Sequence, residues 1–378
     1  MLVSGIICEY NPLHLGHQKQ IRYLKEQGKA VVCLMSGNFV QRGNPAIFDK
    51  MARAQAALEC GADLVLELPL PYALSSAEGF AAGGVSILSK ICDELCFGAE
   101  DADTEALMRT AEILVSEPFN DKLRHHLSSG CSFPAARTIA AEEIGIDSKL
   151  LSSPNNILAV EYCKAILSQN VSMKAHPITR EGNYHDAEPD AENPSATSLR
   201  FLIESGLSWS QFVPIEATTT LGKATVHTLR AGEKAILARL RTMTDAEYES
   251  LPYGSEGLWR KLMHAARTQT NLEQIISATK SKRYTRTRID RMILCAFLGI
   301  SENLRASPVP YCRVLGFNDT GRTILSKVKD SGYFVNIGEK TGHPFETLEH
   351  RSGALYGLFS EAPDPPTKEK SYRIIYKK

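Results

Sequence analysis

An α/β fold built on a parallel sheet is what the sequence predicts, and three observations predict it. Short apolar runs rich in Val, Ile and Leu recur at residues 2–8, 30–35 and 63–68, each long enough for a strand buried on both faces and too short for a typical helix. Segments with helical spacing separate them, so strand and helix alternate as in βαβ units. Turn residues such as Ser36-Gly37-Asn38 fall where these strands end, the edge at which open α/β sheets bind ligands.

The first strand, residues 2–8, is followed by Asn11, Pro12, His14, Gly16 and His17, which break it and hand over to a helix over 18–26 with apolar Ile21 and Leu24. His14 and His17 therefore sit at a strand-to-helix turn. A helix N-terminus presents unpaired N–H groups and the positive end of the helix dipole, which suits phosphate. Gly16 removes the side chain that would keep phosphate from the backbone. Two imidazoles there can donate to phosphate oxygens and stabilise charge as an α-phosphate is attacked. Single histidines more often cap turns or pack in the core; the His-x-Gly-His spacing at the end of an N-terminal strand favours the chemical reading.

Gly28 ends the helix and residues 30–35 form the second strand, parallel to the first. Asp49 is the expected N-cap of a helix over 50–60. Arg42, Lys50 and Arg53 are candidates for phosphate contact, although each singly is more often a surface charge. Strand 63–68, closed by Pro69 and Pro71, contains Glu67 as an inward polar or edge residue. A helix over 76–90 and a strand over 94–97 follow, with Gly98 placed where a nucleotide can lie against bare backbone. Residues 104–145 read as several helices covering the site. Pro154-Asn155-Asn156 opens a helix over 157–167, and 172–178 is the last parallel strand. The polar stretch 179–194, with Arg180, His185 and Asp186, reads as a lid or binding loop. Residues 195–200 open the next helix, where hydroxyls and N–H groups can cradle phosphates and Arg200 can neutralise them.

Composition shifts at 209–221 to Pro, Thr and Gly, which places a domain boundary near Ser210, dividing 1–210 from 211–378. The net charge of zero conceals an asymmetry: residues 1–210 carry 17 Lys+Arg against 26 Asp+Glu, and residues 211–378 carry 26 against 17. A basic C-terminal half suggests a polyanionic partner. Helices are expected over 223–243 and 258–278. Between them and the end lies a cationic run, Lys280, Lys282, Arg283, Arg286, Arg288 and Arg291, with Tyr284 placed to stack on a base. Strand-like runs at 323–328, 332–337 and 372–377 end this mainly helical half as α+β.

At 43% hydrophobic and 23% charged residues, the 378-residue chain has an ordinary globular composition. It holds no 18-residue apolar run and no N-terminal basic segment with a cleavage site, so a cytoplasmic protein is expected, with no membrane partner. Its nine cysteines are scattered without a CxxC pair and read as reduced thiols, with no zinc site.

His14-Leu15-Gly16-His17 resembles the motif of the HIGH-type nucleotidyltransferase superfamily, and Ser195-Ala196-Thr197-Ser198-Leu199-Arg200 resembles its second signature, with Ala196 and Leu199 in place of commoner residues. EYNPLHLGH (9–17), MSGNFVQRGNPAIFDKMAR (35–53), FGAE (97–100), PNNILAVEY (154–162) and KRYTRTRIDR (282–291) together look like the tRNA(Met) cytidine acetate ligase family, over residues 2 to about 327. The resemblance implies a Rossmann-like domain over 1–210 with five parallel strands and a tRNA-binding domain over 211–378. It implies His14, His17 and Arg200 as catalytic residues. It implies ATP contacts at Ile7, Glu9, Tyr10, Asn11, Pro12, Gly16, Gln20, Gly98, one of Asn155 and Asn156, Arg180, Ser195, Thr197 and Ser198. Mg2+ would accompany ATP without a dedicated carboxylate cage. The implied activity is ATP-dependent activation of acetate and its transfer to the wobble cytidine of elongator tRNA(Met). Acetate ligation to a protein thiol, adenylyl transfer making a dinucleotide cofactor, and RNA binding without catalysis are the competing readings; the basic second half opposes the first two and the intact motif opposes the last.

Overall fold

The computed structural model describes residues 1–146, 148–180, 194–306 and 308–378. Its main sheet has eight strands. β1 (Val3–Cys8), β2 (Ala30–Ser36), β5 (Leu64–Leu68), β6 (Glu94–Ala99) and β7 (Lys174–Thr179) are the five parallel strands expected from the sequence, while β3 (Phe39–Val40) and β4 (Asn44–Pro45) form a separate hairpin. The sheet is wider than expected, because β8 (Cys312–Phe317), β9 (Phe334–Asn336) and β10 (Ile375–Tyr376) join it from the C-terminal half. The strand order is β10-β8-β5-β2-β1-β6-β7 with β9 on β8, and β8 runs antiparallel to β5. Strands from both sides of residue 210 thus share one sheet, a non-local pairing that local sequence pattern does not reveal.

The order reverses direction at β1, whose neighbours are β2 and β6. That reversal opens a crevice at the C-terminal strand ends. β1, β2 and β5 are almost wholly buried, as their apolar runs require, and the helices Ala77–Leu88 and Pro154–Ser168 cover one face. The helices Leu15–Glu26 and Lys50–Glu59 pack on the other. Asp49 caps its helix as expected, accepting from the Met51 and Ala52 amides at 2.9 and 3.0 Å.

Beyond residue 210 the fold departs from the sequence reading in three places. The helix expected over 223–243 starts later, at Leu229–Thr242, and is preceded by an unexpected helix Ile215–Lys223, while 258–278 is two helices, Leu258–Thr268 and Leu272–Thr279. In the second case Asn271 caps a new start. The stretch 323–328 forms the last turn of the helix Asp319–Ser326 and the two residues after it, and not a strand; Asn318 caps the helix through Gly321, and Ile324 is buried. A second hydrophobic cluster gathers the helices Leu229–Thr242, Leu258–Thr268 and Leu272–Thr279 around Ile236, Leu262, Ile275 and Ile293, while Leu221 and Ile324 of the other two helices pack on the sheet. No helix among the described residues is long and apolar enough to cross a membrane.

Candidate active site at the strand ends

His14 is the N-cap of the helix Leu15–Glu26 in extended conformation, and its carbonyl accepts from the His17 and Gln18 amides. Its own amide donates to His17 Nδ1 at 3.3 Å. The two rings stack with centroids 3.7 Å apart, and Tyr10 meets His17 edge-on at 5.0 Å. His14 is 3% exposed, and its Nδ1 is buried without a hydrogen-bond partner. A Cβ on Gly16 would stand 3.1 Å from His14 Cε1, so glycine lets the imidazole lie against the turn.

Burial, then the neighbouring His17, Arg180 and Arg200, hold the His14 pKa well below its ordinary value. Burial and Arg180 bring His17 down to about 3. Both rings are neutral at pH 7, each with one N–H to donate. Arg200 comes from the helix Ala196–Glu204 and donates to the Asn11 carbonyl at 2.7 Å and to Thr197 Oγ1 at 3.1 Å. Two guanidiniums beside two neutral imidazoles at a helix N-terminus make an anion site. The orphaned His14 nitrogen and the bare Gly16 backbone fit a nucleotide's phosphates.

The other expected ATP contacts fall into two groups. Gly98 lies in β6, where an added Cβ would meet only Arg180 Cβ at 3.8 Å, and Asn155 Oδ1 accepts from Arg180 at 3.1 Å, so these three stand together. The Asn11 carbonyl, which precedes Pro12, and Thr197 meet Arg200, while the Asn11 side chain is buried and accepts from the Ile47 amide at 2.7 Å. The rest direct their side chains into the protein. Tyr10 reaches Cys33 Sγ at 3.3 Å, and Gln20 donates to the Cys96 carbonyl at 3.2 Å. Ile7 packs on the helix Ala77–Leu88 beside Gly84, and Glu9 accepts from the Gln41 amide at 2.9 Å. Asn156 is buried and accepts from the Asp101 amide at 3.0 Å. Ser195 and Ser198 are also buried and bond each other, Oγ to Oγ at 2.9 Å, which completes the helix cap. His185 and Asp186 lie outside the described residues.

Lys50 and Arg53 are not phosphate ligands. Arg53 is fully buried and donates to the carbonyls of Phe48, Glu9, Ser36 and Gly37, tying the ends of β1 and β2 together. Lys50 is buried between Glu67 and Glu369; burial acts to lower its pKa, but the two carboxylates together outweigh it and raise it. Glu67 is accordingly an inward polar group. Glu100 carried no expected role, yet it accepts from Ser153 Oγ, Asn155 Nδ2 and the Asn156 amide at 2.8, 2.7 and 2.8 Å. Its sequence signal was a carboxylate just past a strand end, facing a later helix start.

The cationic run lies partly in a loop and partly in the helix Arg286–Leu298. Lys280, Lys282, Arg283 and Arg286 are exposed. Arg283 pairs with Glu256 at 3.0 Å, Arg286 forms a two-pronged bond to Glu273 at 2.7 and 2.6 Å, and Arg288 donates to the Tyr253 carbonyl at 3.0 Å. Tyr284 does not present its ring to a base: it is 9% exposed within the C-terminal cluster, and its hydroxyl donates to the Glu256 carbonyl at 2.5 Å. Arg291 reaches back to the Gln41 carbonyl at 3.4 Å. Next to it Gly43, at φ +82°, lies so close that a Cβ would be 2.6 Å from the Arg291 amide nitrogen. The hairpin of β3 and β4 therefore stands between Glu9 and the cationic helix.

A family model described as HIGH Nucleotidyl Transferase matches residues 1–369, and the chain belongs to that family. It is 36% identical to the tRNA(Met) cytidine acetate ligase of Clostridium acetobutylicum over 97% of each chain, and 37% identical to that of Anoxybacillus flavithermus over 99% of this chain and 98% of that one. The crystal structure of Thermotoga maritima TmcAL without ligand superposes with a TM-score of 0.90 at 28% identity, and the form bound with alpha-thio ATP with 0.87, each covering 100% of both chains. Within the nucleotidyltransferases, the chain is a member of the tRNA(Met) cytidine acetate ligase family.

Proposed function

We propose that the chain is an ATP-dependent ligase that forms acetyl-adenylate and acetylates N4 of the wobble cytidine of elongator tRNA(Met). The observation that carries the first step is the pair of stacked, neutral imidazoles with Arg180 and Arg200 beside them at one helix N-terminus. Membership in a family of tRNA(Met) cytidine acetate ligases, one structural relative of which binds alpha-thio ATP, supports the substrates.

In this reading an acetate oxygen attacks the α-phosphorus, the bond to the bridging oxygen breaks and pyrophosphate leaves. The N–H groups of His14 and His17, with the dipole of their helix, stabilise charge growing on the α-phosphate oxygens. Arg180 and Arg200 hold the departing pyrophosphate, with Thr197 beside Arg200. Mg2+, if carried by the triphosphate, would screen its charge, and no cluster of three His, Cys, Asp or Glu among the described residues is placed to hold it. Gly98 and Asn155, rather than Asn156, face the nucleotide, because Asn155 is the one joined to Arg180. The exocyclic amine of cytidine is a weak nucleophile, which is why acetate must first become a mixed anhydride; its attack on the acetyl carbonyl expels AMP and loses a proton. The amine is reached by splaying the base from the single-stranded anticodon loop.

For the RNA, the exposed Lys280, Lys282, Arg283 and Arg286 form the proposed phosphate-contacting face, with Arg288 and Arg291 bracing it. The contact of Gly43 with Arg291 supports tRNA lying beside the ATP site rather than remote from it. Incubation with ATP and acetate in hydroxylamine tests the first step: acetyl hydroxamate should accumulate without RNA. Its absence, with ATP bound, would sink the ligase reading.

A further inference from the structure

Two helix N-termini face the crevice at the strand ends. One, at Leu15, carries the imidazole pair. The other, at Pro154, is filled by the protein's own carboxylate: Glu100, just past β6, accepts from Ser153 Oγ at 2.8 Å, Asn155 Nδ2 at 2.7 Å, the Asn155 amide at 3.3 Å and the Asn156 amide at 2.8 Å. A carboxylate offers about four acceptor positions, and these four donors use them. Glu100 therefore has no capacity left for substrate and acts through what it holds.

What it holds is the side chain of Asn155. With Nδ2 given to Glu100, the amide oxygen points the opposite way and accepts from Arg180 Nη1 at 3.1 Å. Arg180 in turn lies close enough to both histidines to lower their pKa values. We propose that Glu100 is a positioning residue that sets the orientation of Asn155 and, through it, the guanidinium of Arg180 for the nucleotide, while closing the second helix N-terminus to phosphate. The proposal rests on the reading above, that Arg180 faces ATP. Partial burial acts to raise the Glu100 pKa, but the hydrogen bonds from Ser153, Asn155 and Asn156 outweigh it and hold the carboxylate ionised.

The test is ATP affinity by calorimetry on the full chain, with the thermal midpoint of each variant alongside. Glu100→Gln keeps the shape but removes the charge and one acceptor; it should weaken ATP about tenfold with the midpoint little changed. Arg180→Ala should weaken ATP at least as much. The decisive quantity is the double variant: because Glu100 works through Arg180, Glu100→Gln should cost less than twofold once Arg180 is gone. An unchanged affinity in Glu100→Gln, or the full tenfold loss repeated in the Arg180→Ala background, overturns the proposal. If Glu100→Gln does not fold, Glu100→Asp, which keeps an anion at the helix terminus but falls short of Asn155, goes through the same cycle with the same criterion. Failure of the unaltered chain to bind ATP would instead overturn the reading of the site itself.

Discussion

The imidazoles of His14 and His17 are buried beside two arginines, and this decides both their protonation and their chemistry. In the proposed mechanism these neutral donors would bind phosphate without repelling the guanidiniums, and removal of one should be felt in the transition state. The expected outcome for His17→Ala is a fall in hydroxylamine-trapped acetyl hydroxamate of about 10²–10³-fold, the scale of one lost oxyanion donor, with tRNA binding retained in a filter assay. Their depressed pKa values also link to stability. The unfolded chain takes up protons as pH falls through about 6.5, while the folded His17 waits until about 3. Stability from this ring is thus complete above about pH 6.5 and is lost on acidification, by about 1.4 kcal/mol per pH unit. Urea midpoints between about pH 5 and 6.5 should fall less steeply in His17→Asn than in the unaltered chain; parallel slopes would contradict the assignment. The placement of His14, Gly16 and His17 at a strand-to-helix turn, and of Arg200 in the opening turns of a later helix, was legible because each motif's spacing is local. The roles of Glu100, Lys50 and Arg53 were not, because each depends on partners set by the fold: Ser153, Asn155 and Asn156 for the exposed Glu100, Glu67 and Glu369 for the buried Lys50, and four carbonyls for the buried Arg53.

Among the elements, the hairpin of β3 and β4 and the helix Arg286–Leu298 are the ones that, in the proposed reading, would connect the histidine site to RNA. The hairpin is anchored by Phe39 against Tyr356 and Phe359, by Glu9 on Gln41, and by Gly43 against the Arg291 backbone. The cationic run showed in the sequence as charge, but which members are engaged did not. Arg283 and Arg286 have carboxylate partners in Glu256 and Glu273, which tRNA phosphates would have to displace in the proposed reading, whereas Lys280 and Lys282 are exposed. Tyr284 is drawn inward because the cluster around Ile275 and Ile293 offers its ring more than solvent does. Lys280→Ala with Lys282→Ala should weaken tRNA binding and shallow its salt dependence by about one unit of log–log slope per lysine, with ATP affinity unchanged. Salt titration of binding checks it; an unaltered slope would place the RNA elsewhere.

Over the whole molecule, one sheet binds both halves of the chain. The five parallel strands were legible as apolar runs. Of the three added strands, β9 and β10 fall within the strand-like runs 332–337 and 372–377, but their place in this sheet was not legible and β8 was missed, because β8 pairs with β5 across some 250 residues and β9 and β10 attach to β8. The join is ionic as well as backbone: Lys50 bridges Glu67 on β5 and Glu369 near the C-terminus. Removing a single member of a buried pair strands the other charge. Lys50→Met should therefore destabilise the chain by about 3–5 kcal/mol, read from urea unfolding as one cooperative transition shifted to lower denaturant. Two separated transitions would mean that the halves fold independently.

The most direct test of the central claim supplies ATP, labelled acetate and total tRNA, then resolves the nucleosides by mass spectrometry. The account expects label as N4-acetylcytidine at the wobble position of elongator tRNA(Met), absent when His17 is replaced by Ala. Acetyl-adenylate formed without labelled RNA would keep the chemistry of the histidine site and contradict the RNA acceptor, pointing to a thiol in its place.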